Sequence, residues 1–186
     1  NVVACDYVVE QLPHTGTWGR SFVTMPLATR TRGDTFRILA SVNGTVVSVN
    51  GAAVATLNRG QFHEQLITGP ASINATQPVL VAQYSNSSTF DGVTSDPFMM
   101  LIPPFEQFLA AYTVTTPASG FTTNFINVVV PNASVGAVTL DGAPIPGASY
   151  TAIPGSGFSG ARVPVSLGTH TLGGPLPFGA FMYGFA

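Results

Sequence analysis

Glycine and proline interrupt this chain so often that no long helix has room to form. There are 20 Gly and 15 Pro among 186 residues, spread from end to end. Both residues punctuate local structure, so the segments between them must be short. Those segments are apolar and rich in β-branched residues, which fit a pleated, half-buried surface. Strands are predicted at Tyr7–Leu12, Ser21–Leu27, Phe36–Val42, Thr45–Asn50, Ala52–Leu57, Gln61–Ile67, Pro78–Ser85 and Pro97–Ile102. Asn50-Gly51 sits between two of them, the favoured pair for a two-residue hairpin whose central residues both need positive φ. One helical turn is predicted, over Pro104–Leu109, opened by proline and carrying Glu106 and Gln107.

The second half of the chain repeats the first in order. Thr35-Phe36-Arg37-Ile38-Leu39 matches Asn124-Phe125-Ile126-Asn127-Val128, and the Asn50-Gly51 hairpin matches Asp141-Gly142. Aromatic-led strands follow at Phe62 and Tyr150, and each half closes on an apolar strand with a late tyrosine, Tyr84 and Tyr183. Drift between the matches requires insertions, which loops tolerate at low entropic cost. The predicted fold is all-β: two β-sandwich or jelly-roll-like halves related by an internal repeat. Residues 1–114 form the first half with its amino-terminal strands, residues 115–186 the second, packed as one unit with the first.

Charge narrows the function classes. Only 8% of residues are charged, and all six basic ones are Arg, against roughly 25% charged in an average soluble domain. The surface must be wetted by Thr, Ser, Asn and Gln, as in many secreted and surface β-proteins. A net charge of −2 argues against nucleic acid, which needs a basic face for its phosphates. Mean hydropathy is +0.35, yet no apolar run approaches the ~20 residues of a spanning helix, so membrane insertion is not expected. The lone Cys5 cannot make an internal disulfide. It is either a small buried hydrophobe or pairs outside this segment, and the chain reads as a piece of something longer. Four Asn-x-Ser/Thr sites, at Asn43, Asn74, Asn86 and Asn132, carry glycans only if the source is eukaryotic and secretory.

No catalytic pattern emerges. Gly155-Ser156-Gly157 is one residue short of a nucleophile elbow, and His170, between two threonines, reads as a hydrogen-bonded structural histidine. His63 and Glu64, adjacent on a strand, point to opposite faces. No cofactor is expected. The candidate ligand-binding site is the long polar segment Ser85–Asp96 and its flank: Tyr84, Phe90, Asp91 and Asp96. Asp91 and Asp96 are also candidate Ca²⁺ ligands. Arg30, Arg32 and Arg37, around Asp34, form either a solvated charged edge or an anion clamp.

Asp6-Tyr7-Val8-Val9-Glu10-Gln11-Leu12-Pro13, then Thr17-Trp18-Gly19, Gly33-Asp34-Thr35-Phe36-Arg37-Ile38-Leu39-Ala40, Gln83-Tyr84, Asp96-Pro97 leading to Ile102-Pro103-Pro104, Gly168-Thr169-His170-Thr171 and Tyr183-Gly184-Phe185 occur in one order. In that order the chain resembles the amino-terminal domain family of the IgG-Fc-binding mucus protein, which also occurs in bacterial surface and adhesin-like proteins. The resemblance implies an extracellular or cell-surface location, a multidomain parent and no catalytic set. The expected function is a non-catalytic binding or adhesion module for a glycan or protein ligand, working beside other domains of its parent. The alternative is a structural spacer or assembly domain of a larger surface protein.

Overall fold

The computed structural model describes residues 8–93 and 95–185; Cys5 and Tyr7 lie outside them. Seven strands make the first sheet system: β1 (Gly19–Thr24), β2 (Asp34–Ala40), β3 (Thr45–Val49), β4 (Ala52–Leu57), β5 (Phe62–Ile67), β6 (Ala71–Ser85) and β7 (Phe98–Ile102). Seven more make the second: β8 (Leu109–Thr115), β9 (Thr123–Pro131), β10 (Thr139–Leu140), β11 (Ala143–Pro144), β12 (Thr151–Ala152), β13 (Phe158–Val165) and β14 (Thr169–Phe185). The expected helical turn is a 3-10 turn, Phe105–Gln107, and a single α-helical turn, α1 (Ser88–Asp91), lies in the Ser85–Asp96 segment. The described part of the strand expected over Tyr7–Leu12 is not one: Val8–Leu12 is irregular and exposed. Its apolar alternation finds no partner strand among the described residues.

Strand alternation builds the core. Along β2 the residues Asp34, Phe36, Ile38 and Ala40 are buried while Arg37 between them is exposed, as the period-2 geometry of a strand requires. Both long strands change neighbours along their length. The first part of β6 lies between β1 and β3, and its last part between β2 and β7. In β14 the first part pairs with β8 and β10, the last with β9. Each half is thus one curled seven-stranded antiparallel sheet whose long strand changes partners along its length. The path β4-β3-β6-β2-β5 reappears as β11-β10-β14-β9-β13. β8 pairs with β14, so by pairing residues 109–114 join the second sheet system, although they precede the division at residue 114.

The hairpin tips repeat to the atom. Asn50 and Asp141 both have φ of 51°, followed by Gly51 at 83° and Gly142 at 81°, the left-handed pair of a type I′ turn. Each clasps the long strand: Ser72 N donates to Asn50 Oδ1 at 2.9 Å, and Thr171 N to Asp141 Oδ1 at 2.8 Å. Elsewhere the repeat needs a correction of one residue. Thr35 pairs with Tyr84 and Phe125 with Tyr183, so Phe125 corresponds to Thr35, not Phe36. A one-residue slip reverses the face: Phe36 points into the core and Phe125 stacks outward on Tyr183. Likewise β13, led by Phe158, is the counterpart of β5, in place of the segment after Tyr150.

The halves share a core. The largest cluster joins Phe22, Phe36, Ile38, Val47, Ile73 and Val81 of the first half, with Phe108 just before β8, to Val129, Ile153 and Phe181 of the second. A second cluster, around Ile126, Val128 and Phe178, is internal to the second half.

Candidate binding face

The outward side chains of β5, β2, β6 and β7 form one sheet face. Its register places Glu64, Arg37, Ala82 and Leu101 in one row and Leu66, Thr35, Tyr84 and Met99 in the next. Phe62 and Leu66 stay 55% and 45% exposed. Arg37 is the centre. Its Nε donates to Glu64 Oε2 at 2.7 Å, and its guanidinium lies 5.0 Å from the Tyr84 ring and 5.4 Å from the Phe62 ring. The Glu64 carboxylate holds the Arg37 guanidinium above its ordinary value. Half-exposed rings stacked on a tethered guanidinium offer rigid contact area together with free N–H donors, the chemistry enriched in protein interfaces. Tyr84 and Arg37 were legible candidates; Phe62 was not singled out. Its signal was the alternation Phe62-His63-Glu64-Gln65-Leu66, which puts large apolar groups on the solvent side of β5.

The Ser85–Asp96 segment borders this face at Tyr84 and is strapped down. Thr35 Oγ1 donates to Asn86 Oδ1 at 2.8 Å, and Asn86 Nδ2 to Gly33 O at 3.1 Å. Asp91 turns inward, its Oδ2 3.5 Å from Arg30 Nη1, with both side chains fully buried. Arg30 also donates to Ser95 Oγ at 2.6 Å and lies 4.6 Å above the Phe185 ring. Arg32 donates to Phe90 O at 2.9 Å. Phe90 is half-buried, and Asp96 is exposed. The three arginines therefore engage three different partners, Arg30 inside, Arg32 on the loop backbone and Arg37 on the sheet face. The Asp91 carboxylate is committed to Arg30. Among the described residues no group of three or more His, Cys, Asp or Glu side chains is placed to hold a metal ion.

Beneath this face a buried polar network joins the halves at the connection Met25–Ala28. Asp34 Oδ2 accepts from Leu27 N and from Gln83 Nε2, each at 2.8 Å. Asn127 Nδ2 donates to Met25 O and Pro26 O at 3.2 Å, and Ala28 N donates to Tyr183 Oη at 2.8 Å. Burial pushes the Asp34 carboxyl up to about 6 and the Tyr183 hydroxyl well above its ordinary value.

The histidine–aspartate pair lacks a nucleophile. His170 Nδ1 lies 2.7 Å from Asp141 Oδ2, and Nε2 lies 2.9 Å from the Ser166 carbonyl oxygen. Both ring nitrogens are spent on structure, as the sequence suggested. A triad needs the second nitrogen on a hydroxyl.

The molecule is thus a duplicated all-β protein with an exposed aromatic face. The chain belongs to the IgGFc binding protein family, whose sequence model matches residues 1–184. It is 30% identical over 194 residues to the human IgGFc-binding protein, covering 98% of this chain and 4% of that protein. The chain therefore spans a small part of that relative's length. An anti-sigma factor domain-containing protein from Clostridium clariflavum superposes with a TM-score of 0.21 at 10% identity, over 88% of this chain and 78% of that one, which carries no argument. No helix among the described residues is long and apolar enough to cross a membrane.

Proposed function

We propose that this is a non-catalytic, extracellular binding module that takes a protein ligand on the face built from Phe62, Arg37 and Tyr84. The observation that carries the reading is that solvent-exposed ring–guanidinium–ring stack. The relative's name supports a protein ligand over a glycan and makes IgG Fc the first to try. The Ser85–Asp96 segment would extend the face, with Phe90 and Asp96 in reach of the ligand and Asp91 holding the backbone from below. The test immobilises the folded chain and measures binding of IgG Fc, of other extracellular proteins and of a glycan panel. The Phe62→Ala and Tyr84→Ala variants should each weaken the protein interaction tenfold or more, about 1.4 kcal/mol. Their melting should move little, because surface changes rarely exceed ~0.5 kcal/mol. Unchanged binding in both variants, or binding of glycans alone, would overturn the reading.

A further inference from the structure

A cleft runs along the joint between the halves, and among the described residues no carboxylate lines it. It holds about 700 Å³, inside the roughly 300–1,000 Å³ of small-molecule sites. One wall belongs to the first half, with Thr31 on the β1–β2 connection and Thr68 on the β5–β6 turn. The other belongs to the second half, with Ser149, Thr151 of β12 and Arg162 of β13. Neither half forms it alone.

Strand geometry sets its floor. Along β13 the residues Gly160 and Arg162 share a face, and Thr151 joins them by pairing with Gly160. Met25 crosses Gly160 so closely that an added Cβ would overlap its sulfur. The absence of a side chain there lets the β1–β2 connection lie on β13, and the next residue on that face, Arg162, stands beside it at the cleft. Burial dominates the Tyr183 hydroxyl, and Arg162 is close enough to oppose it. The Arg162 charge therefore lies within reach of the joint.

The polar groups around the cleft are uncommitted. Arg20 bonds Gln77, Arg30 bonds Asp91, Arg32 the Phe90 carbonyl and Arg37 Glu64. Arg162 is exposed and has no such partner among the described residues. Arg30 also lines the cleft, but its guanidinium is buried and held by Asp91. Thr31, Thr68, Ser149 and Thr151 are exposed, and their hydroxyls bond to no other described residue. Nearby, the hydroxyls of Thr24, Ser72 and Ser156 are spent on the carbonyls of Ala71, Pro154 and Ile153.

We infer that this cleft is a ligand site separate from the Phe62–Tyr84 face, and that it takes a sugar residue carrying a carboxylate. A guanidinium forks onto a carboxylate through two parallel bonds, and here no lining acid competes for it. Each hydroxyl both donates and accepts, which suits a ligand that is itself polyhydroxylated. Pro26 and Pro70 add apolar surface for the C–H side of a sugar ring. An acidic peptide would use the arginine and leave the hydroxyls unmatched. Because both halves line the cleft, a bound ligand ties them together and should raise the melting temperature.

The test titrates N-acetylneuraminic acid and glucuronic acid into the chain, followed by two-dimensional NMR and melting. Glucose, acetate and a glutamate-containing peptide are the comparisons. At least one acid sugar should bind saturably and shift the signals of Thr68, Thr151 and Arg162. Glucose lacks the carboxylate and acetate the hydroxyls, so each should bind far more weakly. Arg162→Gln should weaken the sugar about tenfold or more, as the loss of a charge-assisted bond implies, while its own melting moves little. Ser149→Ala combined with Thr151→Val should weaken it too. No saturable binding, equal binding of glucose or acetate, or sugar binding that survives Arg162→Gln would overturn the proposal. So would a peptide that displaces the sugars at lower concentration. Phe62→Ala should leave sugar binding unchanged and Arg162→Gln should leave binding of a protein ligand unchanged, so the two sites fail separately.

Discussion

Asp141 and Asn50 occupy the same turn position, yet one carries a charge, and the difference is testable. Asp141 is held below the ordinary carboxylate value chiefly by His170, and His170 above its own chiefly by Asp141. The Asp141 contribution is present above the ordinary carboxylate range and lost as pH falls through its depressed value. The His170 contribution is complete below about 6.5 and lost as pH rises through its elevated value. Asp141→Asn should keep the clasp on Thr171 N, as Asn50 does on Ser72, and return the His170 titration, followed by NMR, toward 6.5. An unmoved titration would show that the pair is not coupled. Asp34 has the opposite sense from an ordinary paired acid. Its carboxyl sits at about 6 because of burial, so its contribution is complete below about 4 and lost as pH rises through 6. Relative to wild type, Asp34→Asn should gain in melting temperature between pH 4 and 7. A constant difference across that range would show that Asp34 does not ionise there. At this scale the sequence was readable where one residue type has one job: Asn-Gly and Asp-Gly announced both turns. It was silent on Asp34, which reads as a turn residue but is 0% exposed.

Strand positions followed the alternation, and their lengths did not. β6 runs on from Ala71 through Pro78 and β14 through Gly173, Gly174, Pro175 and Pro177, whereas proline and glycine read as breaks. Bulges explain how: the β1 ladder shifts register between Gly19 and Ser21, opposite Pro78, and the β8 ladder between Gly173 and Phe178. A proline is tolerated in a strand where the partner ladder is already interrupted. α1 was missed because Ser-Asn-Ser-Ser has no apolar period, and what fixes it is a tertiary contact, Asp91 on Arg30. That pair is the element's main anchor. Arg30→Met should strand a buried carboxylate and cost about 3–5 kcal/mol in urea unfolding, while Arg30→Met with Asp91→Leu should recover most of it. The single variant should also expose the Ser85–Asp96 segment to proteolysis. A loss under about 1 kcal/mol for Arg30→Met would mean the pair contributes no more than a surface ion pair does.

Which face of which half would be covered could not be read from the chain, because the contacts that decide it join residues 100 to 155 positions apart. Ala28 to Tyr183 and Met25 to Asn127 are examples, and no periodicity encodes them. The repeat revealed two similar units; only the structure shows that the second unit's outer sheet face completes the first unit's core. That asymmetry sets the behaviour of the whole. We propose that the two sheet systems are one folding unit; a break in the exposed stretch around Pro117 leaves β8, which pairs with β14, on the first fragment. Val129, Phe181 and Ile153 are buried by the first half's cluster, and at about 25 cal/mol per Å² their re-exposure would be costly. Separating the halves would also strand the Asn127 and Tyr183 polar groups, which lose their partners on Met25–Ala28. A protease site inserted at Pro117 and cut in the folded protein should leave the fragments associated, with a single melting transition. Expressed apart, at least one fragment should aggregate, because each then presents a sheet face or core mouth to water. Mixing the fragments under refolding conditions should restore the single transition. Two soluble fragments that melt independently, each at its own temperature, would mean the shared core contributes little and the halves are beads on a string.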